Sequence, residues 1–119
     1  GLEDERVIED IEELGKAIAD EWSHENFSEI WTVGSSGTLS RGLQKAFPNL
    51  EVHCVSVGHK MSERELGRAK FYRSPYKFDK PIKKEEAPPF PSAPTYDAKA
   101  WPFIKQYAKP RALFWNVGA

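Results

Sequence analysis

The chain holds 119 residues, with 17 Lys plus Arg against 18 Asp plus Glu, a formal net charge of -1, 39% hydrophobic and 29% charged residues. These values describe one domain (1–119) able to hide roughly two thirds of its unfolded surface. They exclude a disordered chain, a disulfide framework (Cys54 is the one cysteine) and a globally basic nucleic-acid binder. No run approaches the roughly 18–20 apolar residues of a membrane span, and the acidic start is unlike a signal peptide, so a cytoplasmic protein without membrane contact is expected.

From Glu3 to Trp22, apolar residues recur at Val7, Ile8, Ile11, Leu14, Ala17, Ile18 and Trp22. Spacings of three and four predict one face of an amphipathic helix. Glu29–Val33 is a short β-rich run that stops at Gly34, and Ser35, Ser36 and Gly37 form a tight turn. Thr38–Phe47 carries Leu39, Leu43, Ala46 and Phe47 at helical spacing and is ended by Pro48-Asn49. Glu51–Val57 reads as a second strand closed by Gly58. Ser62 and Glu65 have the spacing of a capping box, which predicts a helix from Glu63 to about Tyr72. Residues 74–95 hold Pro75, Pro81, Pro88, Pro89, Pro91 and Pro94, which exclude a regular helix or central strand and predict a long loop. A helix follows over about Ala98–Ala108, with Pro102 near its first turn. Arg111–Asn116 is the third expected strand. Strands separated by helices, with near-continuous apolar runs, predict an α/β domain: a short parallel sheet in a three-layer αβα arrangement.

The strand-to-helix turn at Gly34-Ser35-Ser36-Gly37-Thr38 is the strongest chemical signal. Amides at a helix N-terminus lack intrahelical partners, and the helix dipole favours an anion there. Ser35, Ser36 and Thr38 add hydroxyls, Gly34 and Gly37 permit close approach or positive φ, and Arg41 adds charge one turn on. A phosphate is the expected guest. The pattern has neither the Walker A lysine nor the GxGxxG spacing. An ordinary Gly/Ser turn is the plain alternative. Two further stretches stand out: Tyr96-Asp97-Ala98-Lys99, where Asp97 also suits a helix cap, and Leu113–Ala119, a strand ending at Asn116 and a small-residue turn.

Taken in order, these features resemble the C-terminal part of the large lobe of fold-type II pyridoxal-phosphate enzymes. That group includes cysteine synthase, the tryptophan synthase β subunit, D-cysteine desulfhydrase and aminocyclopropane-carboxylate deaminase, and the last two form the most similar branch. The resemblance spans about residues 7–119 and covers 59–93 poorly. It implies that Gly34, Ser35, Ser36, Gly37 and Thr38 hold the phosphate of pyridoxal phosphate. It further implies that Tyr96 lies near the ring, that Asp97 faces the pyridine nitrogen, that Lys99 is structural, and that Asn116 stands beside the cofactor. A carboxylate on the ring nitrogen would strengthen the electron sink. The chain departs from the family pattern at Ala98, which replaces a glycine, and at Val117, which replaces a hydroxyl-bearing residue. None of its lysines sits in the context of the Schiff-base lysine. The resemblance therefore implies a fragment or reduced relative that binds a phosphate-bearing molecule and is not catalytically competent alone.

Charge is uneven. Glu3, Asp4, Glu5, Glu9, Asp10, Glu12, Glu13, Asp20 and Glu21 crowd one stretch, and Lys60, Arg64, Arg68, Lys70, Arg73, Lys77, Lys80, Lys83 and Lys84 crowd another. Solvated faces are the ordinary reading of such runs. His24, His53 and His59 are too scattered in sequence for a metal motif, so no metal is expected. The basic aromatic stretch 70–78 suits docking to a partner better than stacking on single-stranded nucleic acid. A lone lobe leaves apolar surface uncovered, so a homo-oligomer or a complementary lobe is expected. The alternative function is a non-catalytic interaction module that keeps the fold, with Tyr72, Tyr76 or Phe78 at an interface.

Overall fold

The structure, a computed structural model, describes residues 6, 8, 9, 27–34, 37–58 and 62–116. The helix expected over Glu3–Trp22 lies outside the described residues apart from Arg6, Ile8 and Glu9, which are helical, with Ile8 buried. Ser35, Ser36 and residues 117–119 also lie outside them.

Strand β1 (Glu29–Gly34) is buried at every position, and β2 (Glu51–Ser56) from Val52 onward. They pair in parallel, Glu29 opposite Glu51 and Trp31 opposite His53. Two further strands complete a four-stranded sheet, β3 (Lys70–Arg73) beside β2 and β4 (Ala112–Phe114) beside β1, in the order β3-β2-β1-β4 with every pair parallel. Helices cover both faces. Helix α1 (Thr38–Ala46) lays Leu43 and Ala46 on Ile30 and Val52, with Phe47 beyond its end joining the same cluster. The opposite face carries Trp31, Val33, Val55 and Val57, covered by a 3₁₀ turn (Asp97–Ala100) that runs into α3 (Trp101–Tyr107), with Pro102 in the first turn where its missing N–H costs nothing. Burial on both faces explains why β1 shows no polar alternation in the sequence. Each core side chain such as Leu43, 0% exposed, contributes about 1.5–3 kcal/mol by leaving water.

The structure corrects one expectation. The helix begun at Ser62 does carry a capping box: Glu65 N donates to Ser62 Oγ at 3.2 Å, and Ser62 N donates to Glu65 Oε1 at 2.9 Å. But α2 spans only Glu63–Leu66. Gly67, at φ 59, ends it, and Phe71 and Tyr72 leave it for β3 instead. A capping box starts a helix without fixing its length, and the aromatic pair gains more on the sheet, where Tyr72 packs beside Trp31. Between α1 and α2, Gln44 donates to Leu66 O and accepts from Arg68 N. The Arg68 guanidinium holds the carbonyls of Gln44, Phe47 and Leu50 at 2.6–3.0 Å, satisfying the orphan acceptors at the end of α1.

The proline-rich segment 74–95 is irregular except for a 3₁₀ turn at Lys84–Glu86. It is tied down rather than loose. Ile82 is buried and donates its N–H to Pro94 O, Tyr76 OH donates to Glu86 Oε2, and Asn116 Nδ2 donates to Pro91 O.

Candidate functional site

The chain runs from β1 through α1 to β2 on one side and returns to β4 on the other side of β1. Strand order therefore reverses between β1 and β4, and in open parallel sheets the crevice beyond the carboxyl ends at such a reversal is where ligands bind. Gly34, the last residue of β1, and Gly37, at the start of α1, lie at that edge. Gly37 is the N-cap of α1, with φ 80 and no side chain to bond the first-turn amides, and no acidic residue stands in that turn. Arg41 folds back, its Nε 3.4 Å from Gly37 O. A helix start with no side-chain cap and no first-turn acid, beside Arg41, favours an anion, although Glu65 also stands close by.

The space beside Gly37 is taken, however. A Cβ there would overlap the main-chain oxygen of Glu65 and lie 2.9 Å from its carbonyl carbon. The positive φ expected of Gly37 is present, but what approaches closely on that side is the backbone of α2. Thr38 stands half-buried at the first turn of α1.

The other residues singled out in the sequence gather on the same edge of the sheet, engaged in different ways. Tyr96 packs in the apolar cluster on the α3 face, and Asp97 is 0% exposed at the start of the 3₁₀ turn that packs on β1. Lys99 is buried, and its Nζ donates to the carbonyls of Lys77 and Phe78 at 2.9 and 3.2 Å. Burial holds its ammonium below the usual lysine range, against the pull of Asp79. Asn116 uses both ends of its amide on the proline-rich segment, donating to Pro91 O at 2.7 Å and accepting from Ser92 Oγ at 2.9 Å. Beyond β2 and β3, an open cleft of ≈ 650 Å³ is lined by Gly58, Arg73, Ser74, Tyr76 and Phe78 among others. Cys54 is buried and its thiol is pushed up to about 12 by burial, which leaves it unreactive at neutral pH. Of the aromatics expected at an interface, Tyr72 and Tyr76 are partly buried within the chain, whereas Phe78 is 57% exposed.

A second constellation forms at the opposite, amino end of the strands. Parallel register sets Glu29 beside Glu51, and Trp31 and His53 two residues on, all on the α3 face. His53 Nε2 lies 2.7 Å from Glu51 Oε1 and 2.8 Å from Glu29 Oε2, while its Nδ1 is 2.9 Å from Tyr72 OH. The imidazole stacks on Trp31, centroids 4.3 Å apart and planes at 10°. Glu29, 1% exposed, accepts at Oε1 from Trp31 Nε1 and from the main-chain N–H of Lys109. Lys70 Nζ stands 3.1 Å from Glu51 Oε1 and, with His53 and Lys109, outweighs partial burial to hold the Glu51 carboxyl below its ordinary range. Burial pushes the Tyr72 phenol up. Two carboxylates and an imidazole nitrogen within 4.8 Å of one another are a set that can hold a cation. Histidine spacing alone misses this cluster. The legible trace is the repeated Glu-x-aromatic pattern, Glu29-x-Trp31 and Glu51-x-His53, at the starts of two strands.

Compared with family models, with curated proteins and with solved structures, the chain finds no match. No helix among the described residues is long and apolar enough to cross a membrane.

Proposed function

We propose that this α/β domain binds a phosphate-bearing small molecule at the crevice beyond β1 and β4, with the Gly34–Thr38 turn and the start of α1 receiving the phosphate. The observation that carries this reading is the reversal of strand order beside an α1 N-terminus that has no side-chain cap, no first-turn acid, and Arg41 folded over it. Arg73 and Lys77 line the cleft along the same edge and favour the same sign of charge. Pyridoxal phosphate is the ligand that the sequence resemblance suggests. Its phosphate end suits the corner. Its ring end is less well served, because Tyr96 packs, partly buried, against the core, Asn116 is latched to Pro91 and Ser92, and Lys99 is committed to two carbonyls. The domain is therefore read as a binder, and no chemical step is assigned to it.

The test is calorimetric titration of the purified chain with pyridoxal phosphate, with inorganic phosphate as competitor. A charge-assisted hydrogen bond is worth about 1.5–3 kcal/mol, so Thr38→Ala and Arg41→Ala should each weaken binding roughly tenfold or more. Absence of binding by either ligand at millimolar concentration refutes the proposal. Light scattering over a concentration series addresses the interaction-module alternative, which requires self-association that Phe78→Ser weakens.

A further inference from the structure

We infer that Glu29, Glu51 and His53 form a binding site for a divalent transition-metal ion of the zinc class. The argument starts from the protons available. A neutral imidazole carries one N–H, and a single proton on Nε2 cannot serve two carboxylates at once. The geometry directs it to Glu51, and Glu29 Oε2 accepts no hydrogen bond among the described residues although Nε2 is 2.8 Å away. Glu29 is 1% exposed, and a buried carboxylate oxygen without a donor is costly. Glu29 Oε2, Glu51 Oε1 and His53 Nε2 thus lie within 4.8 Å of one another with a single proton to share. With the imidazole proton carried on Nδ1, where Tyr72 OH can accept it, a metal ion at Nε2 meets a lone pair from each of the three.

The surroundings have the form that metal sites require. Ligands are held by outer contacts that leave the coordinating atom pointing inward. Trp31 Nε1 and the Lys109 N–H fix Glu29 through Oε1 and leave Oε2. Tyr72 OH engages His53 Nδ1 and leaves Nε2, and stacking on Trp31 sets the ring plane. Glu51 is the adaptable member, with its side chain 32% exposed at the open side of the cluster. The present spacings of 2.7 and 2.8 Å between Nε2 and the oxygens must widen to about 3.3 Å, the edge of a tetrahedron with bonds near 2.05 Å; Glu51 has room to move, and the buried His53–Glu29 pair must open by about 0.5 Å. Lys70, 58% exposed, can swing off Glu51 into solvent. An imidazole with two carboxylates selects zinc or a neighbouring d-block ion over magnesium or calcium, and it leaves a fourth position for water or a ligand. The site lies at the amino end of the strands and stands independently of the phosphate reading.

The experiment uses the full chain, freed of metal by a chelator and dialysed. Calorimetry with zinc chloride, and visible absorption with cobalt(II) as a coordination reporter, should give one ion per chain at micromolar affinity or tighter. Glu29→Gln keeps the acceptor for Trp31 and Lys109 and removes a ligand, and Glu51→Gln removes another at a half-exposed position where folding is not at risk. Each should weaken binding tenfold or more. Tyr72→Phe, which removes only the outer contact, should weaken it about 10-fold to 100-fold. No stoichiometric binding at 100-fold excess over about 1 μM protein would overturn the inference and leave the cluster as a hydrogen-bonded histidine–carboxylate set. Binding undiminished by Glu51→Gln would overturn it by placing the ion elsewhere.

Discussion

Replacing Gly37 by alanine separates two reasons for a glycine at the start of α1. Alanine at φ 80 pays the left-handed penalty of about 1–2 kcal/mol. Its Cβ would also overlap the Glu65 carbonyl, with the carbonyl carbon at 2.9 Å, and that obstacle is main chain held by the Ser62 capping box. Opening an overpacked contact of this kind costs about 1–3 kcal/mol more. The total is about 2–5 kcal/mol, a fall in melting temperature of roughly 10 °C or more for a chain of this size. Gly67→Ala is the comparison. At φ 59 and ψ -126 it sits outside the left-handed helical well, where alanine pays about 1–3 kcal/mol, and its Cβ meets Gln44 Oε1 at 2.5 Å, so Gln44 can give way only by disturbing its bonds to Leu66 O and Arg68 N. Urea denaturation of the ligand-free proteins, followed by far-ultraviolet circular dichroism, should find both variants destabilised, Gly37→Ala by about 2 kcal/mol or more. If Gly37→Ala is as stable as the parent and loses only phosphate binding, the glycine is there for a ligand and the packing argument is refuted.

Arg68→Ala strips the carbonyls of Gln44, Phe47 and Leu50 of their shared donor. The loss should be about 1–2 kcal/mol by urea midpoint, and Arg68→Lys should recover less than half, because an ammonium cannot reproduce the planar fork. Lys99 tests burial against charge. Its ammonium is held below the ordinary value of 10.5 by burial first, so the unfolded chain holds this proton more tightly than the folded one. The penalty is fully present below the folded pKa and is relieved as pH rises from there toward 10.5, so the stability of the parent relative to Lys99→Met should improve as pH is raised toward 10.5. A difference that stays flat over that range would contradict the burial argument. A neutral amine still offers two N–H groups to Lys77 O and Phe78 O, so the loop contact itself should survive the titration.

The strands at 29–34, 51–56 and 112–114, the helix at 38–46, the helix after Asp97 and the irregular proline-rich segment are all legible in the sequence. Each is dictated by local chemistry: β-branched and aromatic runs, three-and-four spacing, and prolines that cannot donate. Strand β3 is not legible, because four residues after a valid capping box look helical until Tyr72 has Trp31 to lie against. The Gly34–Thr38 turn announces itself by composition, but what occupies the flank of Gly37 does not, since Glu65 is brought there by α2 from far along the chain. The Glu29–Glu51–His53 cluster is the clearest case. Its members are separated by a helix and a turn in sequence and become neighbours through parallel register alone. Sequence by itself determined which segments become strand, helix or loop, because those choices are made by each residue with its near neighbours. Tertiary structure alone decided which polar groups meet, because a one-residue shift in the pairing of β1 and β2 would turn Glu51 and His53 together to the opposite face and leave Glu29 buried without either.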